Sequence, residues 1–194
     1  MVKKVTNSGD TVTLLTIQEL YDDVLRHEFS SAFASRNLNF NAVSLKDTDY
    51  VLFSPDYVNN EFAKGAAKTL DLFQSEMWKQ EISKTFGSRS TTQYIKNAFD
   101  CDTYASFHKM IAHLAVAQHY PELGASPAFG TISYVTFDSK AERAGVGHEI
   151  NFYVCLDNNK LKVKYFEPQE VNNGIGTTVE LNPIEVSSIF AVRI

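Results

Sequence analysis

The chain has 194 residues, 44% of them hydrophobic and 12% aromatic, which is enough apolar bulk to bury a core and rules out a disordered composition. Its formal net charge of -5, with lysines and arginines scattered rather than clustered, excludes a nucleic-acid-binding surface as the main function. The only two cysteines, Cys101 and Cys155, are too few for a disulfide scaffold and lack the paired spacing of a zinc site.

The basic start, Met1 to Gly9, is followed by no apolar region of the signal-peptide kind. No apolar run approaches the roughly 20 residues that span a bilayer, so a cytoplasmic protein without a membrane partner is expected. Residues 1–12 are polar and expected to fray. From Thr16 the spacing of Ile17, Leu20, Tyr21, Val24, Leu25 and Phe29 predicts a capped amphipathic helix to about Ala34. Tyr50–Phe53 reads as one short strand, and Ser54-Pro55-Asp56 opens a second helix with proline at its first position. A helical pattern continues from Lys68 to Phe86, and Gly87-Ser-Arg-Ser breaks it. Cys101–His119 is the next predicted helix, with Tyr104, Phe107, Ile111 and Leu114 on one stripe and Tyr120-Pro121 as its stop.

Beyond Pro127 the period changes from 3.6 to 2. Thr131–Asp138, Gly147–Asp157 and Lys160–Phe166 read as strands, the last two joined at Asp157-Asn158-Asn159, and Ser188–Ile194 reads as a closing strand. Helices first and strands later, without βαβ alternation, predict α+β architecture around an antiparallel sheet, in one domain covering residues 1–194.

Phe99-Asp-Cys-Asp-Thr-Tyr-Ala places a thiol in the first turn of a helix, where unpaired N–H groups and the helix dipole favour a thiolate. Asp100 is available as the cap. A thiolate nucleophile needs an imidazole oriented by a third polar group. His148 starts the strand Gly147-His-Glu-Ile-Asn-Phe-Tyr-Val on the face shared by Ile150, Phe152 and Val154, a surface suited to receive the Cys101 helix. Pairing about the Asp157-Asn158-Asn159 turn brings Phe166 and Glu167 opposite the region of His148 and Glu149. The backbone N–H of Cys101 is one oxyanion donor, and Gln93, or less favourably Asn97, is the side-chain candidate for a second.

Asp-Cys-Asp-x-Tyr-Ala, then Gly-His-x-x-Asn, then Glu-Pro-Gln, together resemble papain-like cysteine peptidases of the mushroom-agglutinin C-terminal type and their phage-encoded relatives. The resemblance covers about residues 90–170. It implies a papain-like fold in which a buried, nucleophile-bearing helix packs on an antiparallel sheet, with residues 1–90 as a mainly helical extension or left lobe and 91–194 carrying the site. It also implies Cys101 as nucleophile, His148 as general base and acid, and Glu167 as the group that orients His148. The expected function is then a cysteine peptidase or amidase acting through a thioester on a protein or peptide substrate. No cofactor is required on this reading, and calcium enters through the resemblance alone, without ligands that align.

Plainer readings stand beside these. A free cysteine is by default a small core residue, which is the reading for Cys155, and a glutamate before a proline is commonly solvated. His108, His113 and His119 are spaced by five and six, which does not place a metal pair on one helix face, so they read as surface or rim residues. Cell-wall amidases and transglutaminase-like enzymes also place a cysteine at a helix start, but usually carry the third residue closer to the histidine than Glu167 lies to His148. The alternative from another class is a non-catalytic, phage-type protein-binding or inhibitory module. Oligomeric state has no signature in the sequence.

Overall fold

The strand Gly147–Asp157 (β7) is buried on both faces from Ile150 to Cys155, and the fold is built around it. A computed structural model describes residues 1–77, 101–137, 145–169 and 176–194. Antiparallel neighbours Phe129–Val135 (β6) and Lys160–Glu167 (β8) flank β7. The hairpin to β8 turns at Asn158 and Asn159, whose φ values of 52° and 59° are those of a type I′ turn, which asparagine tolerates better than most side chains. Thr177–Val179 (β9), Ala191–Arg193 (β10) and Val43–Ser44 (β3) complete a six-stranded sheet in the order β3-β10-β6-β7-β8-β9, with β3 and β10 parallel. A second sheet joins Val2–Val5 (β1), Thr11–Thr16 (β2), Asp49–Val51 (β4) and Ser126–Pro127 (β5) in the order β1-β2-β4-β5, its last pair parallel.

Each face of β7 has its own helical cover. Ile150, Phe152 and Val154 meet the helical run 17–34 (α1) through Leu20, Val24, Leu25 and Phe29. Thr16 caps α1 in a reciprocal capping box with Glu19, and Leu20–Leu25 forms a π-helical turn within it. Tyr165 donates to the Glu28 carboxylate at 2.6 Å, tying β8 to α1, and burial holds this phenol far above its ordinary pKa. On the opposite face Tyr153 and Cys155 meet the run 55–77 (α2) and Cys101–His119 (α3), together with Phe53, Phe62, Phe129 and Phe166. Ser54 caps α2 and Pro55 takes its first helical position. Pro183–Ser187 (α4) carries a capping box of Asn182 and Glu185 just before β10.

These observations correct the expected α+β, papain-like layout. The first third is not a helical lobe: β1, β2 and β4 make most of a second sheet there, and residues 2–5 pair with 11–14 rather than fraying. Backbone pairing holds β1 although all four of its side chains are exposed, so no hydrophobic pattern marks it. Neither sheet is wholly antiparallel. The helix bearing Cys101 packs against the Asn151, Tyr153 and Cys155 face of β7, not the face of Ile150, Phe152 and Val154. Its buried stripe is Tyr104, Ala105, His108, Ala112 and Val116, leaving Leu114 57% exposed. Among the described residues no helix is long and apolar enough to cross a membrane.

Candidate functional site

Among the described residues, one place that could do chemistry and one that could take a ligand lie at the two ends of α3. At the first, β7 enters the sheet with His148 and β8 leaves it with Glu167. Asn151 pairs with Phe166, so Glu167 falls opposite Ile150 and diagonal to His148 on the same face, a separation that long side chains bridge. The imidazole Nε2 and a Glu167 carboxylate oxygen lie 2.7 Å apart, and both side chains are largely shielded from water. The second Glu167 oxygen accepts from the backbone N–H of Gln169 at 3.0 Å, which gives Glu-Pro-Gln a local purpose: the turn after the strand holds the carboxylate in place.

Tyr134 pairs across the sheet with His148 and sets its ring edge-to-face against the imidazole at 5.7 Å. Burial raises the Tyr134 phenol far above its ordinary pKa, reinforced electrostatically by Glu185, Glu167 and Cys101. Cys101 is partly exposed at the first position of α3 and forms no disulfide. The structure therefore gathers His148, Glu167 and Tyr134 at one end of the six-stranded sheet, with Cys101 at the head of α3 near enough to act electrostatically on Tyr134. Gln93, Asn97 and Asp100 lie outside the described residues.

Sequence reasoning passed over two further residues here. Asn151 is fully buried and donates through Nδ2 to the carbonyls of Ala105 in α3, at 2.8 Å, and Gly130 in β6, at 3.1 Å. It is the last residue of the Gly-His-x-x-Asn run, and its polar side chain in an otherwise apolar stretch was the available signal. His108, expected at the surface, is 1% exposed between Phe62 and Phe166. Burial pushes its pKa down, and its Nδ1 lies 2.9 Å from the Tyr104 carbonyl, so a neutral ring donates there. The i, i+4 series Tyr104, His108, Ala112, Val116 placed it on the buried stripe. His113 is also held low by burial and by Lys109. Cys155 is fully buried and its thiol pKa is raised by that burial. No cluster of three or more His, Cys, Asp or Glu suited to a metal ion occurs among the described residues.

The second place is a groove of about 500 Å³ between β2, β4, the start of α2 and the last turn of α3. Phe53, Tyr57 and Tyr120 supply aromatic surface, and Ser54, Glu61 and His119 supply polar groups. Phe53 and Tyr57 meet edge-to-face at 5.3 Å. The Tyr57 phenol pKa is raised by burial and then by Glu61 and Tyr120, and that of Tyr120 by burial and then by Asp10 and Glu122. At 1.5 Å per residue, the Ala115–His119 wall of this groove lies about 21–27 Å along α3 from Cys101.

No protein-family model matches the chain, and no curated protein matches it in sequence. Solved structures that share its fold include the following two. A structure described as the PSL1a-E64 complex superposes with a TM-score of 0.54 at 16% identity, covering 98% of this chain and 56% of that one. Polyporus squamosus lectin, bound to the human-type influenza-binding epitope Neu5Aca2-6Galb1-4GlcNAc, superposes with a TM-score of 0.50 at 15% identity, covering 98% of this chain and 55% of that one. The chain spans about half the length of these structures. The neighbours found, a lectin among them, correct the papain-like peptidase assignment and give no support to the expected cysteine peptidase or amidase function. The physical reason is that three short motifs at a helix start and along a hairpin fit any helix packed on a sheet, and so do not specify one fold.

Proposed function

We propose that the chain is a non-catalytic binding module whose ligand is a saccharide. The observation that carries this reading is the groove beside Tyr57. It combines aromatic surface, which accepts the C–H face of a sugar ring, with a hydroxyl that donates to and accepts from ring hydroxyls and a carboxylate that accepts from them. The fold shared with a lectin seen on an oligosaccharide supports the same choice. The chain's own groove bears the argument, because the remainder of that lectin has no counterpart here. Calorimetric titration of the chain with an oligosaccharide panel tests the reading: saturable one-to-one binding is expected, and silence across the panel overturns it.

We also propose that Cys101, His148 and Glu167 act as one polar cluster, with Glu167 fixing the imidazole and the imidazole acting on the thiol. The 2.7 Å contact between His148 and Glu167 favours this, as does the influence of Cys101 on Tyr134, whose ring lies against His148. Iodoacetamide labelling of Cys101 against pH, with Cys155→Ser in every sample, provides the test. Replacing His148 by alanine should move the labelling profile upward toward the free-thiol value of about 8.5. A profile indifferent to His148 and to Glu167→Gln would show three residues that do not communicate.

A further inference from the structure

The charges around the aromatic groove say which saccharides it can hold. Its described lining contains no lysine or arginine, and the ionisable groups other than tyrosine that line it are Glu61 and His119. Glu61 acts electrostatically on Tyr57, and Asp10 and Glu122 on Tyr120, so carboxylates stand behind both tyrosines. Glu122 also holds the β1–β2 turn by accepting from the Asn7 N–H at 2.8 Å, which keeps its charge at that rim.

Resting on the saccharide reading above, we propose that the groove selects neutral sugars and rejects carboxylate-bearing ones, with Glu61 as the specificity-determining residue. A neutral ring lays its apolar face on Tyr57 and Tyr120 and donates one or two hydroxyl protons to the Glu61 carboxylate. A hydroxyl bonded to an ionised oxygen is the stronger kind of sugar contact, because the acceptor carries full charge. A uronic or other acidic sugar in the same pose brings a second carboxylate toward Glu61, with no lysine or arginine in the described lining to receive it. Glu61 is exposed on the first turns of α2 and belongs to no core cluster, so it can be altered without disturbing the fold.

The test uses the full chain and a panel of neutral di- and trisaccharides, each paired with the counterpart whose terminal hexose is replaced by its uronic acid, with dissociation constants from calorimetry. The wild type should bind a neutral member and bind its acidic counterpart about tenfold or more weakly. Glu61→Gln should weaken neutral binding about ten- to a hundredfold, as loss of a charged hydrogen bond does. Glu61→Lys should reverse the preference within each pair. Equal binding of both members, or binding indifferent to both Glu61 variants, overturns the specificity while leaving the saccharide reading in place. Failure of the wild type to bind any member overturns that reading, and the specificity falls with it.

Discussion

Replacing Phe129 by alanine should cost about 3–5 kcal/mol of stability, as expected for a fully buried aromatic on the α2–α3 face of the sheet. Phe129 is fully buried at the start of β6. Its ring centre lies 5.0 Å from that of Phe62, 6.0 Å from Phe53 and 6.2 Å from Phe166, and it stacks nearly parallel to Tyr153 at 6.4 Å. These partners come from α2, β7, β8 and the segment after β4, so none can close the cavity without moving a different element. The cost is therefore that of transfer to water plus an uncollapsed cavity. Urea denaturation measures it, with Phe40→Ala as the control: Phe40 is 69% exposed and touches Tyr21 edge-on, and its loss should stay within about 0.5 kcal/mol. A Phe129→Ala loss below about 1 kcal/mol would mean that the aromatic cluster is not packed as described.

Asn151 carries the second large expectation. Its side-chain amide joins α3 to β6 from the strand between them, while its Oδ1 has no partner among the described residues. Asn151→Leu keeps the branched shape, at a larger volume, but removes a donor from two buried carbonyls, which should cost about 2–3 kcal/mol. Asn151→Asp should cost more at pH 7, because it sets a buried carboxylate against those same oxygens. The sign of its pH dependence is fixed. Burial raises the folded-state pKa of the introduced acid above its unfolded value of about 3.9, so the folded chain retains a proton that the unfolded chain releases. Relative to wild type, the deficit should be smallest below about pH 4 and should grow as pH rises. Denaturation of both proteins at several pH values measures it, and a deficit independent of pH would contradict a buried, donor-only role for Asn151.

The same residues show how far the sequence could be read. Gly147–Asp157, the Asn158-Asn159 turn and Lys160–Glu167 were legible because an apolar run long enough for a strand, a two-residue turn signal and a second run stand in order. The register itself differs from the expected one: the turn holds two residues and Asp157 pairs with Lys160, so Glu167 stands opposite Ile150 and meets His148 diagonally rather than from the facing position. The helix at Cys101 and the caps at Thr16 and Ser54 were equally legible from local chemistry. The two-sheet architecture was not. β1 has no buried side chain, β4 and β5 are three and two residues long, and their pairing joins segments far apart in the chain, so no local pattern announces them. Which face of β7 receives α3 was misread for a related reason. β7 is apolar on both faces, and alternation cannot choose between two buried sides. The groove was invisible because its walls come from β2, β4, α2 and α3, and only the fold brings them together.

Native mass spectrometry of the chain with the oligosaccharide panel and a mixture of peptide amides tests the central claim most directly, because one spectrum reports both complexes and covalent products. The account expects a peak at the mass of the chain plus one saccharide, unchanged in Cys101→Ala, with every peptide left intact. Absence of a saccharide complex, together with an acyl adduct on Cys101 and cleaved peptides that vanish in Cys101→Ala, would contradict it.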